Sequence, residues 1–207
     1  ESLIDITGGF GVDACFLSPG FSHTTYCEKN SDLAAIAAHN FVQLGAAIEV
    51  QIGDGLEFLR KGAASGKRWD WIYADPGRRH AQKGKVVRLQ DYAPDIPGNL
   101  EWMRNTSRNI LIKTSPLLDI GAGLDALSGV REIHIVAVRN EVRELLWWIQ
   151  ASWAGALQIR AVNLESQLPE PFTFTAEEAS SASSHFSEPL AFLYEPNAAL
   201  MKSGAFD

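Results

Sequence analysis

Leu3-Ile-Asp-Ile-Thr-Gly-Gly-Phe-Gly-Val-Asp-Ala14 is the stretch whose reading decides the fold. A short apolar run, Leu3 to Ile6, carries a single carboxylate at Asp5. Glycines follow at Gly8, Gly9 and Gly11. An apolar helical pattern then opens at Val12, Ala14, Cys15, Phe16 and Leu17. The order is strand, glycine-rich turn, helix. Glycine serves where the backbone takes positive φ or must let a ligand approach closely. The helix behind the turn points free N–H groups and the positive end of its dipole at whatever lies above. The stretch therefore predicts a nucleotide-type ligand site.

The acids downstream strengthen this reading. A second strand, His23 to Cys27, ends at Glu28, and an acid about 20 residues beyond the first turn is the ribose-hydroxyl ligand of doubly wound folds. A third strand, Ile48 to Ile52, runs into Gly53-Asp54-Gly55. A fourth, Trp69-Asp-Trp-Ile-Tyr-Ala, ends in Asp75-Pro76. Asp5, Glu28, Asp54 and Asp75 all fall at or near strand C-termini, the edge where parallel sheets bind ligands.

The rest of the chain keeps the alternation. Ser31 to Leu44 reads as a helix with Ser31 as its cap, Asp32 in its first turn and Gly45 as its stop. Helices are expected at Leu56 to Lys61, Leu100 to Thr106 and Leu124 to Leu127, with strands at Asn109 to Thr114 and Ile133 to Val138. Val142, Leu145, Leu146 and Ile149 match helical spacing over Asn140 to Trp153. Adjacent Trp147 and Trp148 would then point about 100° apart, so one of them should meet another element or chain. Further strands are read at Leu157 to Leu164 and Leu190 to Tyr194. A serine-rich loop lies at Ser180 to Ser187, and a last helix begins at Glu195-Pro-Asn. The fold class is α/β: a Rossmann-like, doubly wound, mostly parallel seven-stranded sheet with helices on both faces. The expected division is a main domain over 1–165 and an extension over 166–207.

With 207 residues, 46% hydrophobic and 21% charged, the chain has the composition of an ordinary globular domain. No apolar run approaches the roughly 18 residues of a membrane span. The two cysteines, Cys15 and Cys27, sit in apolar settings and read as reduced core thiols of a cytoplasmic protein. The five histidines are scattered, so no metal site is expected. The net charge of −7 does not favour nucleic acid, yet Arg78, Arg79, Lys83, Lys85 and Arg88 cluster in one basic loop. Glu1 in place of Met, and a closing segment that reads as a cut helix, lead to the expectation of a domain from a longer chain.

The order acid, then Gly8-Gly9-x-Gly11, with the later acids, resembles the class I S-adenosylmethionine (SAM) dependent methyltransferases over about the first 140 residues. The resemblance implies that Asp5, Gly8, Gly9 and Gly11 line the methionine part of SAM. It implies that Glu28 accepts the ribose hydroxyls and that Asp54 accepts the adenine N–H. Phe10 and Leu56 would either line the adenine slot or be plain core. Trp69 to Arg78 is similar to motif IV of the amino-methylating branch, which includes RNA guanine-N2 methyltransferases, and Asn40 matches a helix of that branch. Asp75, Pro76 and Arg78 are then the catalytic candidates, with the Asp75 carboxylate accepting the amine hydrogens. Gly77 and Arg78 stand where that branch has a second proline and a base-stacking aromatic. Arg78 is left to stack on a base, to fork onto a phosphate or to pair with Asp91 or Asp95. The Asp-Pro-x-Arg-Arg form and the ending Leu-Tyr-Glu195-Pro-Asn resemble bacterial methyltransferases with a C-terminal THUMP-like domain, which implies RNA as the partner.

Two other readings stay open. One is a catalytically degenerate module of the same fold, acting in RNA binding or complex assembly. The other is a nicotinamide-linked oxidoreductase, against which stand the glycine order and the lack of a proton-relay Tyr/Lys pair.

Overall fold

The first strand, β1 (Ser2–Asp5), is buried over Leu3, Ile4 and Asp5, and sits between two parallel neighbours. Those neighbours are β2 (His23–Glu28) and β4 (Trp69–Ala74). The computed structural model describes residues 1–78, 88–164, 171–183, 187–188 and 190–205. The chain divides into two compact units, Glu1–Lys113 and Thr114–Asp207.

In the first unit, β3 (Ile48–Ile52) and β7 (Ser107–Thr114) complete a parallel array in the order β7-β4-β1-β2-β3. Between these strands run α1 (Val12–Leu17), α2 (Ser31–Leu44), α3 (Gly55–Ala64) and α4 (Ile96–Arg104). A two-stranded ladder, β5 (Gly77–Arg78) with β6 (Tyr92–Ala93), stands apart from the array. The register sets the site. Asp5 lies level with Tyr26 on one side and Tyr73 on the other. Glu28 and Asp75 therefore both project two residues beyond the same level. Ile52 is level with Glu28, which carries Asp54 two residues past it, and Ala74 is level with Ile112, which puts Lys113 beside Asp75.

α1 starts at Gly11 without a side-chain cap, whereas α2, α3 and α4 each have a polar one. Asn30, rather than Ser31, caps α2 by accepting from the Asp32 and Leu33 amides. Asp54 caps α3 and Asp95 caps α4. Under the first turn, Ala14, Tyr26, Ala34, Ala37 and Phe41 form one buried cluster. Gly11 stands at φ 77°, and a Cβ there would come within 2.4 Å of the Phe41 ring. Conformation and space both require glycine at this point.

The second unit contains α5 (Ile120–Ala126), β8 (Val130–Val138), β9 (Glu141–Gln150), β10 (Gln158–Leu164), β11 (Phe172–Thr175), α6 (Ala176–Ser181) and α7 (Ala198–Ser203). Its strand order is β11-β10-β8-β9. β10 runs parallel to β8, and the β8–β9 and β10–β11 pairs are antiparallel. Among the described residues, and leaving aside the β5–β6 ladder, the array of five strands and the four of the second unit make nine, where the sequence leads to seven.

β9 corrects the helix expected over Asn140 to Trp153. Leu145, Trp147 and Ile149 are buried while their neighbours are half-buried, a period of two rather than 3.6. Val142, Leu145, Leu146 and Ile149 satisfy the helical period, while Leu145, Trp147 and Ile149 in the same stretch satisfy the strand period. What decides is the turn before it: Arg139 at φ 51° and Asn140 at φ 60° form a left-handed pair that closes a hairpin. Arg-Asn is a weak sequence signal for such a turn. Trp147 and Trp148 accordingly face opposite sides of a strand. Trp147 is wholly buried, and Arg131 lies 4.1 Å over the Trp148 ring.

β11 is a further strand that the sequence reading does not include, although Phe-Thr-Phe-Thr alternates. The strand expected at Leu190 to Tyr194 does not form; these residues lie in no regular element and are exposed. Part of the expected Ser180–Ser187 loop is α6, started by a Thr175–Glu178 capping box. Residues 184–186 of that loop lie outside the described residues.

The packing of Trp147 gives a direct stability test. Its Nε1 donates to Thr114 Oγ1 at 2.9 Å, and a Cβ at Gly123 would fall 2.2 Å from its ring. Alanine in a helix gains about 1 kcal/mol over glycine, whereas forcing a methyl against a fixed indole costs about 1–3 kcal/mol. Gly123→Ala is therefore expected to lose about 1 kcal/mol net in chemical denaturation. A gain in stability would show that the indole shifts freely.

Candidate functional site

The sequence-predicted residues converge at the C-terminal ends of β1, β2, β3 and β4, all within the first unit. The turn after β1 is held by its neighbours. The Gly8 amide donates to the Cys27 carbonyl at 2.9 Å, and the Gly9 amide to Glu28 Oε2 at 2.8 Å. The Tyr26 hydroxyl donates to the Gly9 carbonyl. The Tyr26 ring occupies the space that a Cβ at Gly8 would need, and meets Phe41 edge-on at 5.4 Å. The turn is thus clamped from below and from β2.

Glu28 uses one oxygen on Gly9 and the other on the Asn30 amide, at 2.8 Å. A carboxylate offers about four lone-pair positions, so two remain for hydroxyl donors. Asp54 is also engaged. Its Oδ1 accepts the Glu57 amide at 3.1 Å, and its Oδ2 pairs with Lys29 at 2.7 Å. Burial works against its charge, but Lys29 and the backbone amides outweigh it and hold the carboxyl below its ordinary range. Any ligand at Asp54 competes with Lys29, an exposed side chain whose ion pair is worth at most about 1 kcal/mol. Phe10 is exposed and Leu56 is buried, so of the two only Phe10 is available to a ligand.

Asp5 is the deepest acid, 1% exposed. Its Oδ1 accepts from the Thr7 amide at 2.9 Å and the Thr7 hydroxyl at 3.2 Å. Among the described residues no cation pairs with it. Burial, against the Thr7 hydrogen bonds and with the charges of Asp13 and Asp75 adding, pushes its carboxyl up to about 7.

Thr7 also receives the Asp75 amide on its Oγ1 at 2.7 Å. One hydroxyl therefore ties the β1 end to the β4 end. Pro76 is buried. The backbone of Gly77 and Arg78 joins the ladder with Ala93 and Tyr92. Residues 79–87 of the basic loop, with Arg79, Lys83 and Lys85, lie outside the described residues, and Arg88 is exposed.

Sequence reasoning missed three members of the site. Lys113 Nζ lies 2.6 Å from Asp13 Oδ2 and 2.9 Å from Asp75 Oδ2. The Tyr73 hydroxyl donates to Asp13 Oδ2 at 2.8 Å. The available signal was a lone lysine inside the apolar strand Asn109-Ile-Leu-Ile-Lys-Thr114. Burial would lower the Lys113 pKa, but Asp13 and Asp75 reverse this and raise it. Asp75 moves up, chiefly through burial, with Lys113 opposing and Asp13 adding. The Tyr73 phenol is raised by burial and by Asp13, which keeps it a donor.

The fold is the Rossmann-like methyltransferase fold. Over 99% of its length the chain is similar to a candidate methyltransferase from Porphyromonas gingivalis W83, at 34% identity and TM-score 0.86. The match spans 51% of that protein, so the chain covers about half the length of this relative. An O-methyltransferase from Bacillus cereus, solved in complex with SAH, matches at 15% identity and TM-score 0.53, over 72% of this chain and 73% of that one. The 16S rRNA N2 G1207 methyltransferase (RsmC) of T. thermophilus, in complex with AdoMet and guanosine, matches at 13% identity and TM-score 0.52, over 72% of this chain and 37% of that one. No family model matches the chain, and no curated protein sequence does.

The buried Asp5 makes stability depend on pH. Its folded-state pKa of about 7 lies above the ordinary 3.8. Between those values the folded chain holds a proton that the unfolded chain releases, so stability falls as pH rises and the full cost is present above about pH 7. Asn retains the oxygen that Thr7 uses. Asp5→Asn is expected to be more stable than the parent, by a margin growing from about pH 5 to pH 8 by an amount on the order of 3 kcal/mol. Thermal melts across that range decide it; a constant margin would mean that Asp5 stays ionised in the fold.

Proposed function

We propose that this chain binds SAM and transfers its methyl group to a nitrogen, on a base of RNA. One observation carries the reading. The four acids expected from the sequence stand on consecutive neighbouring parallel strands in the order Asp54, Glu28, Asp5, Asp75, and hydrogen bonds to the glycine turn and Thr7 tie three of them together.

The residues present fit the cofactor. Glu28 keeps lone pairs for two ribose hydroxyls, Asp54 lies one strand further for an amine, and buried, unpaired Asp5 faces no internal cation among the described residues. SAM, when bound, supplies a methyl group activated on a sulfonium. Asp75 accepts a hydrogen bond from the acceptor amine and so directs the nitrogen lone pair. It takes the surplus proton once the nitrogen has bonded to the methyl carbon and the sulfur has kept the electron pair of the broken C–S bond. Thr7 fixes the Asp75 backbone while this happens. RNA as the acceptor is supported by the resemblance of Asp75-Pro76 to the amino-methylating branch and by the basic run from Arg78 to Arg88. A THUMP-like module, supported by the closing Leu-Tyr-Glu195-Pro-Asn motif, would supply RNA affinity that an acidic body lacks. The reduced cysteines support a cytoplasmic setting.

The second reading is a module that keeps the fold and not the reaction. Gly77 and Arg78 favour it, since the usual proline and base-stacking aromatic are both missing. Calorimetry separates the two. S-adenosylhomocysteine is expected to bind the parent in the micromolar range, and Glu28→Ala to bind at least about tenfold more weakly, the loss of roughly 1.4 kcal/mol. Asp75→Ala is expected to keep that affinity and to lose methyl incorporation into total RNA by about 100-fold or more. Equal incorporation by Asp75→Ala and the parent would end the role of Asp75, and absence of S-adenosylhomocysteine binding would favour the non-catalytic module.

A further inference from the structure

Lys113 is the one cation among the described residues that meets two carboxylates at the strand-end site. It arrives by register, because β7 runs parallel to β4 with Ile112 level with Ala74. Its ammonium spans Asp13 on α1 and Asp75 at the end of β4. The Tyr73 hydroxyl donates to the same Asp13 Oδ2 that Lys113 meets, so Asp13 cannot swing away without losing two partners. The result is a chain of contacts: Tyr73 fixes Asp13, Asp13 fixes Lys113, and Lys113 fixes Asp75. From the opposite direction Thr7 fixes the Asp75 amide.

We infer that Lys113 is a positioning residue, which holds Asp75 as an ionised acceptor with Oδ2 clamped and Oδ1 presented to the incoming amine. The inference takes its chemical meaning from the methyl-transfer reading, but its geometry is independent of it. Among the described residues Asp75 meets Lys113 through Oδ2 and leaves Oδ1 unpaired. This arrangement supplies what the altered motif lacks. In the related branch the residues after the acid-proline pair shape the acceptor pocket; here Gly77 contributes no side chain. The aim of the carboxylate comes instead from a neighbouring strand.

Asp13 has a second effect. It takes a share of the Lys113 charge and adds a negative charge of its own, so it keeps Asp75 from becoming too weak a base. The groups facing Asp75 are Lys113 from β7, Asp13 from α1, Tyr73 from β4 and Asp5 from β1. Removing Lys113 and removing the Asp13 charge must therefore shift Asp75 in opposite directions. A purely structural ion pair would shift the Asp75 midpoint in the same two directions but leave the acid limb of methyl transfer where it is.

The test is an NMR titration of the aspartate side-chain carboxyl carbons in the 207-residue chain, with Asp75 assigned from the signal lost in Asp75→Asn. Lys113→Met is expected to raise the Asp75 titration midpoint by about one pH unit or more, the size of a removed opposite charge at this range. Lys113→Arg is expected to return it to near the parent value, and Asp13→Asn to lower it. Where methyl incorporation into total RNA is measurable, the acid limb of its pH profile is expected to move with the midpoint. Asp75 midpoints that stay within about 0.3 unit of the parent across the variants would overturn the proposal, as would a limb that ignores them. If Lys113→Met does not fold, Lys113→Gln supplies the variant without the charge, and Asp13→Asn still supplies the opposed one. Failure of the parent to bind S-adenosylhomocysteine would instead count against the cofactor reading, while the titrations judge Lys113.

Discussion

The hydrogen bond from the Gly9 amide to Glu28 closes the site before any ligand arrives. It joins the turn after β1 to the end of β2, and the Tyr26 hydroxyl repeats the connection at the carbonyl of the same glycine. A glycine turn is otherwise the least ordered kind of backbone, with the largest entropy to lose on fixing. Here two side chains from the neighbouring strand remove that freedom. Preorganisation of this type lowers the cost of ordering when a ligand binds. The Tyr26–Phe41 pair beneath completes the constraint, because its rings fill the places where side chains at Gly8 and Gly11 would be.

The acids differ in what they are free to do. Glu28 and Asp54 have structural duties, one to the turn and one as cap and ion-pair partner. Asp5 is buried without a cation and is therefore destabilising when charged. Asp75 alone combines partial exposure, a clamped oxygen and an unpaired one among the described residues. Four carboxylates of the same type thus fall into different roles through their surroundings, which is how electrostatic environment sets chemistry in a site.

Much of the first unit was legible in the sequence because its signals are local. The glycine turn, the helix Ser31–Leu44 and the strand Ile48–Ile52 have the expected bounds, and the acids mark strand ends by themselves. The second unit was harder. Glu141–Gln150 satisfies helical and strand spacing at once, and only the left-handed Arg139–Asn140 pair resolves it. Phe172–Thr175 does alternate apolar and polar residues, but over only four positions. The site was legible in its carboxylates but not in Lys113, Asp13 and Tyr73. Those residues belong to three elements, and their meeting depends on strand register, which no local pattern encodes.

That dependence on register makes the site a matter of length as much as of identity. Inserting or deleting one residue in β7 ahead of Lys113 would bring Ile112 or Thr114 level with Asp75, since parallel strands advance in step. The core would change too, because the slip turns every later side chain of the strand to the opposite face and carries the cation to a level that buried Ile112 or Thr114 holds. A change of one residue in length anywhere from Ser107 to Lys113 therefore separates Lys113 from Asp75, whereas a substitution along the same run leaves the two level.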